Sequence, residues 1–276
     1  LELLNQHGIN YIEAGNPGSN PKDAAFFEEA ARLRLENARL VAFGSTHRIG
    51  VRPEDDWGVH SLLSANTPCV AIFGKCWDLH VTEILKASLE ENLSCVRDTL
   101  RFFKERGKEV IFDAEHFFDG YLNHPAYAVQ VLEAACEGGA DVLCLCDTNG
   151  GALPDDIARI VRMVREAFPD ARVGIHCHND TGCAVPSALL AVRAGAPHVQ
   201  GTFTGIGERC GNADLSIVIP NIQLKLGLAC KGDLADLRHV TTRLTELSNM
   251  ILPSSKPYVG ASAFAHKGGM HIDGVS

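Results

Sequence analysis

The sequence predicts an α/β protein that forms a (β/α)8 barrel, a ring of parallel strands with helices outside, entered here after its first strand. Three observations predict it. Short, nearly continuous apolar runs recur at residues 10–14, 40–43, 69–73, 110–112, 142–145, 173–175 and 199–203, as expected of strands buried on both faces. Helix-period stretches separate them at intervals of roughly 30 residues, a rhythm that fits βα units better than any sandwich. The first run leads into Gly15-Asn16-Pro17-Gly18, which lacks the glycine fingerprint of a doubly wound dinucleotide-binding sheet, so the barrel is preferred.

Residues 1–8 read as the last turns of an amphipathic helix closed by Gly8, with no initiator methionine. The sequence is therefore expected to start inside an element, with a first strand ahead of it; no stop signal marks its other end. Ser88-Leu89-Glu90-Glu91 is a capping box, followed by Leu93, Val96, Leu100 and Phe103 at helical spacing up to Gly107. Pro154 opens another helix, with Ile157, Ile160, Val161, Val164 and Phe168 on one stripe and Pro169 closing it. Residues 184–194 and 213–226 read as helices too. After Gly227 the rhythm changes. A long helix is expected over 233–252, with Leu234, Leu237, Val240, Leu244 and Leu247 in register, then a linker at 253–257. This divides the chain into a barrel at 1–228, holding strands 2 to 8, and the start of a post-barrel helical and linker segment at 229–276, a lid or dimer arm.

The 276 residues are 46% hydrophobic and carry a formal charge of -9, with no basic run, which argues against nucleic-acid partners and for small molecules. Ten cysteines sit inside apolar runs rather than in a loop-rich disulfide framework, and none forms a C-x-x-C pair. Reduced thiols in a cytoplasmic protein are expected, with no membrane span or signal peptide.

In a βα barrel the chemistry sits at the carboxyl ends of the strands. Those positions here carry Glu13 and Asn16; Asp113, Glu115 and His116; Asp147, Thr148 and Asn149; His176, His178, Asn179 and Asp180; and Thr202, Thr204, Glu208, Arg209 and Asn212. His176 and His178 are two apart on a strand spanning 172–177 and so point the same way, either as a satisfied polar pair or as ligands of one ion. Two neutral imidazoles with an oxygen ligand and open positions describe a metal site able to polarise a carbonyl. Glu115 could serve as acid or base there, or as an ordinary ion-pair partner. Cys177 alternates away from the histidines into the core. Asp180 and Glu208 are candidates for bracing loops.

Several longer runs go further: Tyr11-Ile12-Glu13-Ala14-Gly15, Pro17-Gly18-Ser19-Asn20-Pro21-Lys22-Asp23, Phe73-Gly74-Lys75 with Trp77-Asp78-Leu79-His80, Asp113-Ala114-Glu115-His116-Phe117-Phe118-Asp119-Gly120, Cys146-Asp147-Thr148-Asn149-Gly150-Gly151, His176-Cys177-His178-Asn179-Asp180, Gly205-Ile206-Gly207-Glu208-Arg209-Cys210-Gly211-Asn212 and Phe264-Ala265-His266-Lys267-Gly268-Gly269-Met270-His271. Together they resemble the 2-isopropylmalate and homocitrate synthase family of metal-dependent TIM barrels, over essentially the whole chain.

The resemblance implies a Claisen-type condensation. Acetyl-CoA loses an α-proton, its enolate attacks the ketone of a 2-oxo acid held on a divalent metal (Mn²⁺, Mg²⁺ or Zn²⁺), and the thioester is hydrolysed. By the same resemblance His176, His178 and Asn212 are metal ligands, and Thr148, Asp113 and His80 bind the substrate, Thr148 by holding the oxo acid's carboxylate. Glu115 is the catalytic glutamate, and His271 is a base reaching a neighbouring subunit, so a homodimer is implied. The wording of residues 17–23 and 113–120 favours pyruvate as the oxo acid, in isoleucine synthesis, over the substrates of isopropylmalate or homocitrate synthases. The family's first-strand Arg and metal-binding Asp do not occur in this sequence, nor does its C-terminal regulatory domain, so this stretch alone is expected to be inactive. A C–C lyase of the hydroxymethylglutaryl-CoA type is a weaker alternative, opposed by the segment 264–271. An amidohydrolase would carry its H-x-H on the first strand, not after five other units. A non-catalytic module would bind no metal.

Overall fold

A computed structural model describes residues 1–269 and Gly274. Seven strands form one sheet in sequence order, every neighbouring pair parallel: β1 (Tyr11–Glu13), β2 (Arg39–Ser45), β3 (Cys69–Lys75), β4 (Glu109–Glu115), β5 (Val142–Asp147), β6 (Val173–Cys177) and β7 (His198–Gln200). The helices are α1 (Glu2–His7), α2 (Pro21–Ala30), α3 (Trp57–Ser64), α4 (Asp78–Glu83), α5 (Leu89–Lys104), α6 (Phe117–Asn123), α7 (Pro125–Glu137), α8 (Pro154–Ala167), α9 (Ala184–Arg193), α10 (Leu215–Leu224) and α11 (Leu237–Leu247). The architecture is the expected TIM-barrel type.

Strand alternation sorts the side chains into two layers. Val70, Ile72, Val110, Phe112, Leu143, Leu145, Val173 and Ile175 point outward into a large core shared with the helices. Val41, Cys69, Ala71, Ile111, Val142, Cys144 and Cys146 point inward, with Tyr11 and Phe43 against them. The sheet is strongly curled. The Tyr11 ring on β1 lies 5.5 Å from the His198 ring on β7, and the Tyr11 hydroxyl donates to Glu109 Oε1 on β4 at 2.6 Å. Among the described residues no backbone pairing joins β7 to β1, so a seam remains between them.

The helix signals act as anticipated. Ser88 and Glu91 exchange hydrogen bonds at the start of α5, which buries Val96, Leu100 and Phe103. Gly8 closes α1 in the left-handed region at φ 91°. Three boundaries differ. The last strand ends at Gln200, not 203, because Thr204 takes a left-handed φ of 64° and the chain turns at Phe203–Gly205. The next helix begins at Leu215 because the Asp214 side chain caps it. The post-barrel helix is Leu237–Leu247, shorter than 233–252: Asp233 captures the Ala235 N–H in a local turn, and Asn249 at φ 53° ends the helix. Leu237 and Val240 are buried against α1, α10 and the turn after β7, whereas Leu247 is exposed.

All ten cysteines are free; six are buried, while Cys136 and Cys210 are exposed. Among the described residues no helix is long and apolar enough to cross a membrane.

Candidate active site

Strand β6 places its outward residues, Val173, Ile175 and Cys177, in the core, which leaves Gly174 and His176 facing inward, with His178 just beyond. Burial pushes the Cys177 thiol pKa well up, in line with a core role. The His176 and His178 rings are 5.1 Å apart, and their Nε2 atoms face each other at 3.3 Å. Two nitrogen lone pairs that close repel unless something positive lies between them, a shared proton or a cation. Burial pushes the His176 pKa down to about 4 and also lowers that of His178, so both rings are neutral near pH 7. His178 Nδ1 is buried without a hydrogen-bond partner among the described residues.

The third predicted ligand arrives from the loop after β7. That loop folds back along β6: Ala213 N–H donates to Cys177 O at 3.0 Å and Asn179 N–H to Gly211 O at 2.9 Å, which sets Asn212 opposite His178. Only glycine fits at 211, where φ is +89° and a Cβ would stand 1.9 Å from Gly205 O. The Asn212 Oδ1 atom is buried and accepts no hydrogen bond from any described residue. Two converging imidazoles, with an orphaned amide oxygen on the residue bridged to His178, form a donor set that fits a divalent ion and leaves coordination positions open.

Beneath the histidines runs a chain of hydrogen bonds. His176 Nδ1 and Gln200 Oε1 are 2.9 Å apart, and Gln200 Nε2 donates to Asp113 Oδ1 at 2.8 Å across the barrel from β7 to β4. Asp113 is therefore a buried support beneath the histidines. Burial raises its pKa to about 7, against the lowering effect of the Gln200 and Cys144 donors. Asp113, Cys144 and Cys146 also form a group close enough to share an ion. Burial pushes the Cys144 thiol pKa well up; at Cys146 the hydrogen bond with Cys144 lowers it, but burial and the nearby carboxylates leave it raised, so both stay protonated and the group reads as a hydrogen-bonded plug. Burial, then the charge of nearby Asp113, pushes the Glu13 pKa upward.

A second cluster caps β3 to β5. Glu115 pairs with Lys75 at 2.7 Å, the two being partners in the β3–β4 register. His80 packs on Trp77 at 4.7 Å and edge-on to His116 at 4.4 Å, its Nδ1 buried without a partner among the described residues; burial, then His116, lowers its pKa. His116, in the left-handed region at φ 54°, donates its N–H to Thr148 Oγ1 at 2.8 Å. The Thr148 carbonyl accepts from Arg209 Nη2 at 2.7 Å, and Arg209 also grips Asp180 through two bonds, which ties this cluster to the histidine loop. Asp180 thus braces the loop, while the Glu208 side chain points outward, 84% exposed. A cavity of about 330 Å³ opens beside Lys75, lined by Ser45, His47, Phe73, Leu85 and Asn92.

The structure therefore brings His176, His178 and Asn212 together and gathers Glu115, His80 and Thr148 next to them. His271 lies outside the described residues. Three participants carried no predicted role: Gln200, Lys75 and Arg209. The available signal for Gln200 was its register opposite His176, visible only once β7 is placed.

Residues 1–251 match the model of the HMGL-like family. The chain belongs to that family. Among HMGL-like relatives, (R)-citramalate synthase of Aquifex aeolicus is 54% identical over 99% of this chain and 52% of its own length. The 2-isopropylmalate synthase of Oceanobacillus iheyensis is 30% identical over 99% of this chain and 52% of its own. The hydroxymethylglutaryl-CoA lyase from Pseudomonas aeruginosa superposes with a TM-score of 0.74 at 18% identity, covering 90% of this chain and 84% of that one, a likeness of fold. The chain spans about half the length of the curated relatives it matches.

Proposed function

We propose that the protein containing this chain condenses acetyl-CoA with pyruvate to give (R)-citramalate and CoA. The observation that carries the chemistry is the pair of His176 Nε2 and His178 Nε2 facing each other at 3.3 Å, with Asn212, whose Oδ1 is orphaned, bridged to His178 through the backbone. The choice of pyruvate rests on the identity of 54% to an (R)-citramalate synthase against 30% to a 2-isopropylmalate synthase.

His176, His178 and Asn212 would hold a divalent cation, which supplies electrophilic polarisation of a carbonyl oxygen. The other roles belong to side chains. Thr148 Oγ1 already accepts the His116 N–H, so its own proton is left to donate to the oxo acid's carboxylate. Lys75 fixes the Glu115 carboxylate at the rim, where it acts in proton transfer, with His80 at its side. His271, contributed by a second copy, takes the α-proton of acetyl-CoA. A carbon–carbon bond then forms between the acetyl methyl carbon and C2 of pyruvate, the alkoxide takes a proton, and water cleaves the thioester to release the CoA thiol. On this reading residues 1–228 are the barrel and 229–276 begin the segment that carries His271, and a homodimer in the cytoplasm serves isoleucine synthesis.

Steady-state kinetics of the full-length protein with pyruvate, 2-oxoisovalerate and 2-oxoglutarate, each with Mn²⁺, Mg²⁺ or Zn²⁺, tests the reading by chromatographic measurement of released CoA. Pyruvate should give the highest kcat/KM by roughly tenfold or more, the scale at which pockets discriminate a few methylenes. Preference for another oxo acid, or no CoA release, would overturn it.

A further inference from the structure

We infer that Gln200, braced by Asp113, is a positioning residue that sets the tautomer of His176, placing the ring proton on Nδ1 so that Nε2 turns a lone pair toward His178.

Asp113 is 5% exposed, and its carboxyl faces two donors, Gln200 Nε2 at 2.8 Å and the Cys144 thiol. Asp113 Oδ1 accepts from Gln200 whether the group is ionised or carries a proton on Oδ2. The Gln200 amide then has only one orientation: its NH2 group turns to Asp113, and its oxygen is left for His176 Nδ1 at 2.9 Å. An amide oxygen can only accept, so Nδ1 must carry the hydrogen. Neutral imidazole has one N–H, hence Nε2 is bare, and it is Nε2 that lies 3.3 Å from His178 Nε2.

The three residues come from β4, β6 and β7, and the relay crosses the barrel interior, where inward residues of a curled sheet can meet. Two features of the sheet make room for it. His176 and Gln200 are register partners, which puts their side chains alongside each other, and Gly174, two residues back, leaves space for the His198 ring on the same wall. Without Asp113 the amide could turn over and offer an N–H to Nδ1, which would move the ring proton to Nε2 and remove the lone pair.

The consequence for metal binding rests on the reading under Proposed function; the tautomer does not. The test uses the full-length protein with ¹⁵N-labelled histidine, without added metal, and reads His176 by long-range ¹H–¹⁵N correlation, assigned with His176→Phe. Mn²⁺ affinity is measured in parallel by electron paramagnetic resonance. The wild type should show the Nδ1–H form. Gln200→Leu and Asp113→Leu should shift His176 toward Nε2–H and weaken Mn²⁺ binding roughly 10- to 100-fold, the usual cost of losing a partner that orients a ligand. Gln200→Glu keeps an oxygen against Nδ1 and should retain the Nδ1–H form, and the wild-type tautomer, which can by itself overturn the inference, covers the case in which a leucine variant fails to fold. An Nε2–H wild type, or a tautomer unmoved in the folded leucine variants, overturns the inference. A tautomer that shifts in a protein whose wild type binds no Mn²⁺ supports it and overturns the metal-bearing reading instead.

Discussion

His198 lies two residues before Gln200, against the Tyr11 ring and over Gly174, and its Nε2 is buried with no partner among the described residues. Burial, then the charge of Arg172, pushes its pKa down to about 4. The unfolded chain, with an ordinary histidine pKa of about 6.5, takes the proton first as pH falls. The stability His198 contributes is therefore complete above pH 6.5 and lost between 6.5 and 4. Denaturant titrations of wild type and His198→Phe should show the stability difference shifting against the wild type by on the order of 2 kcal/mol from pH 7 to 4; a constant difference would rule this out. The Lys75–Glu115 pair makes a second residue-scale prediction. Glu115→Gln in the full-length protein should lower kcat by roughly 10² to 10⁴, the range of general acid–base groups, and Lys75→Met by less, with KM for pyruvate little changed in both. A Glu115→Gln enzyme of wild-type kcat would remove that residue from the chemistry.

Strand β6 shows what an element must satisfy at once. Its outward residues fill the helix-facing core, its inward His176 serves the site, and Gly174 is an accommodation: a Cβ there would come within 2.8 Å of His198 Cδ2 and 3.3 Å of Cys144. Gly174→Ala should destabilise the fold by about 1–3 kcal/mol through overpacking, read as a lowered denaturation midpoint with an unchanged slope. The strands themselves were legible because a run buried on both faces leaves a continuous apolar signature, and α5 and α8 were legible from a capping box and a proline. The ends of β7 and α11 were not, because Thr204 in the left-handed region and the Asp233 turn are local choices that apolar periodicity does not encode. The site divides in the same way. His176, His178 and Asn212 could be found by spacing and resemblance, whereas Gln200 and Lys75 owe their roles to strand register, which a one-dimensional reading cannot assign.

At the scale of the whole molecule, the sheet brings polar strand ends from β3 to β7 onto one rim while the helices bury the opposite faces of the same strands. Arg209, Asp180, Thr148 and His116 are bonded to one another across three loops of that rim. A metal held by the histidines should stabilise the fold by mass action. Chelator-treated full-length protein should gain about 2.7 kcal/mol in Mn²⁺ at 100 times its Kd, seen as a rise of a few degrees in Tm, and His176→Gln/His178→Gln should gain nothing. An equal rise in the double variant would place the ion elsewhere.

The unpaired cysteines give the molecule a built-in clock. Cys136 and Cys210 face solvent, whereas Cys144 and Cys146 lie in the barrel interior beneath the histidines and can meet an alkylating reagent only when that interior opens. Their labelling rate, followed by peptide mass, measures how often the floor under the paired imidazoles comes apart. Ion occupancy above should slow those two thiols while leaving Cys136 at its unhindered pace.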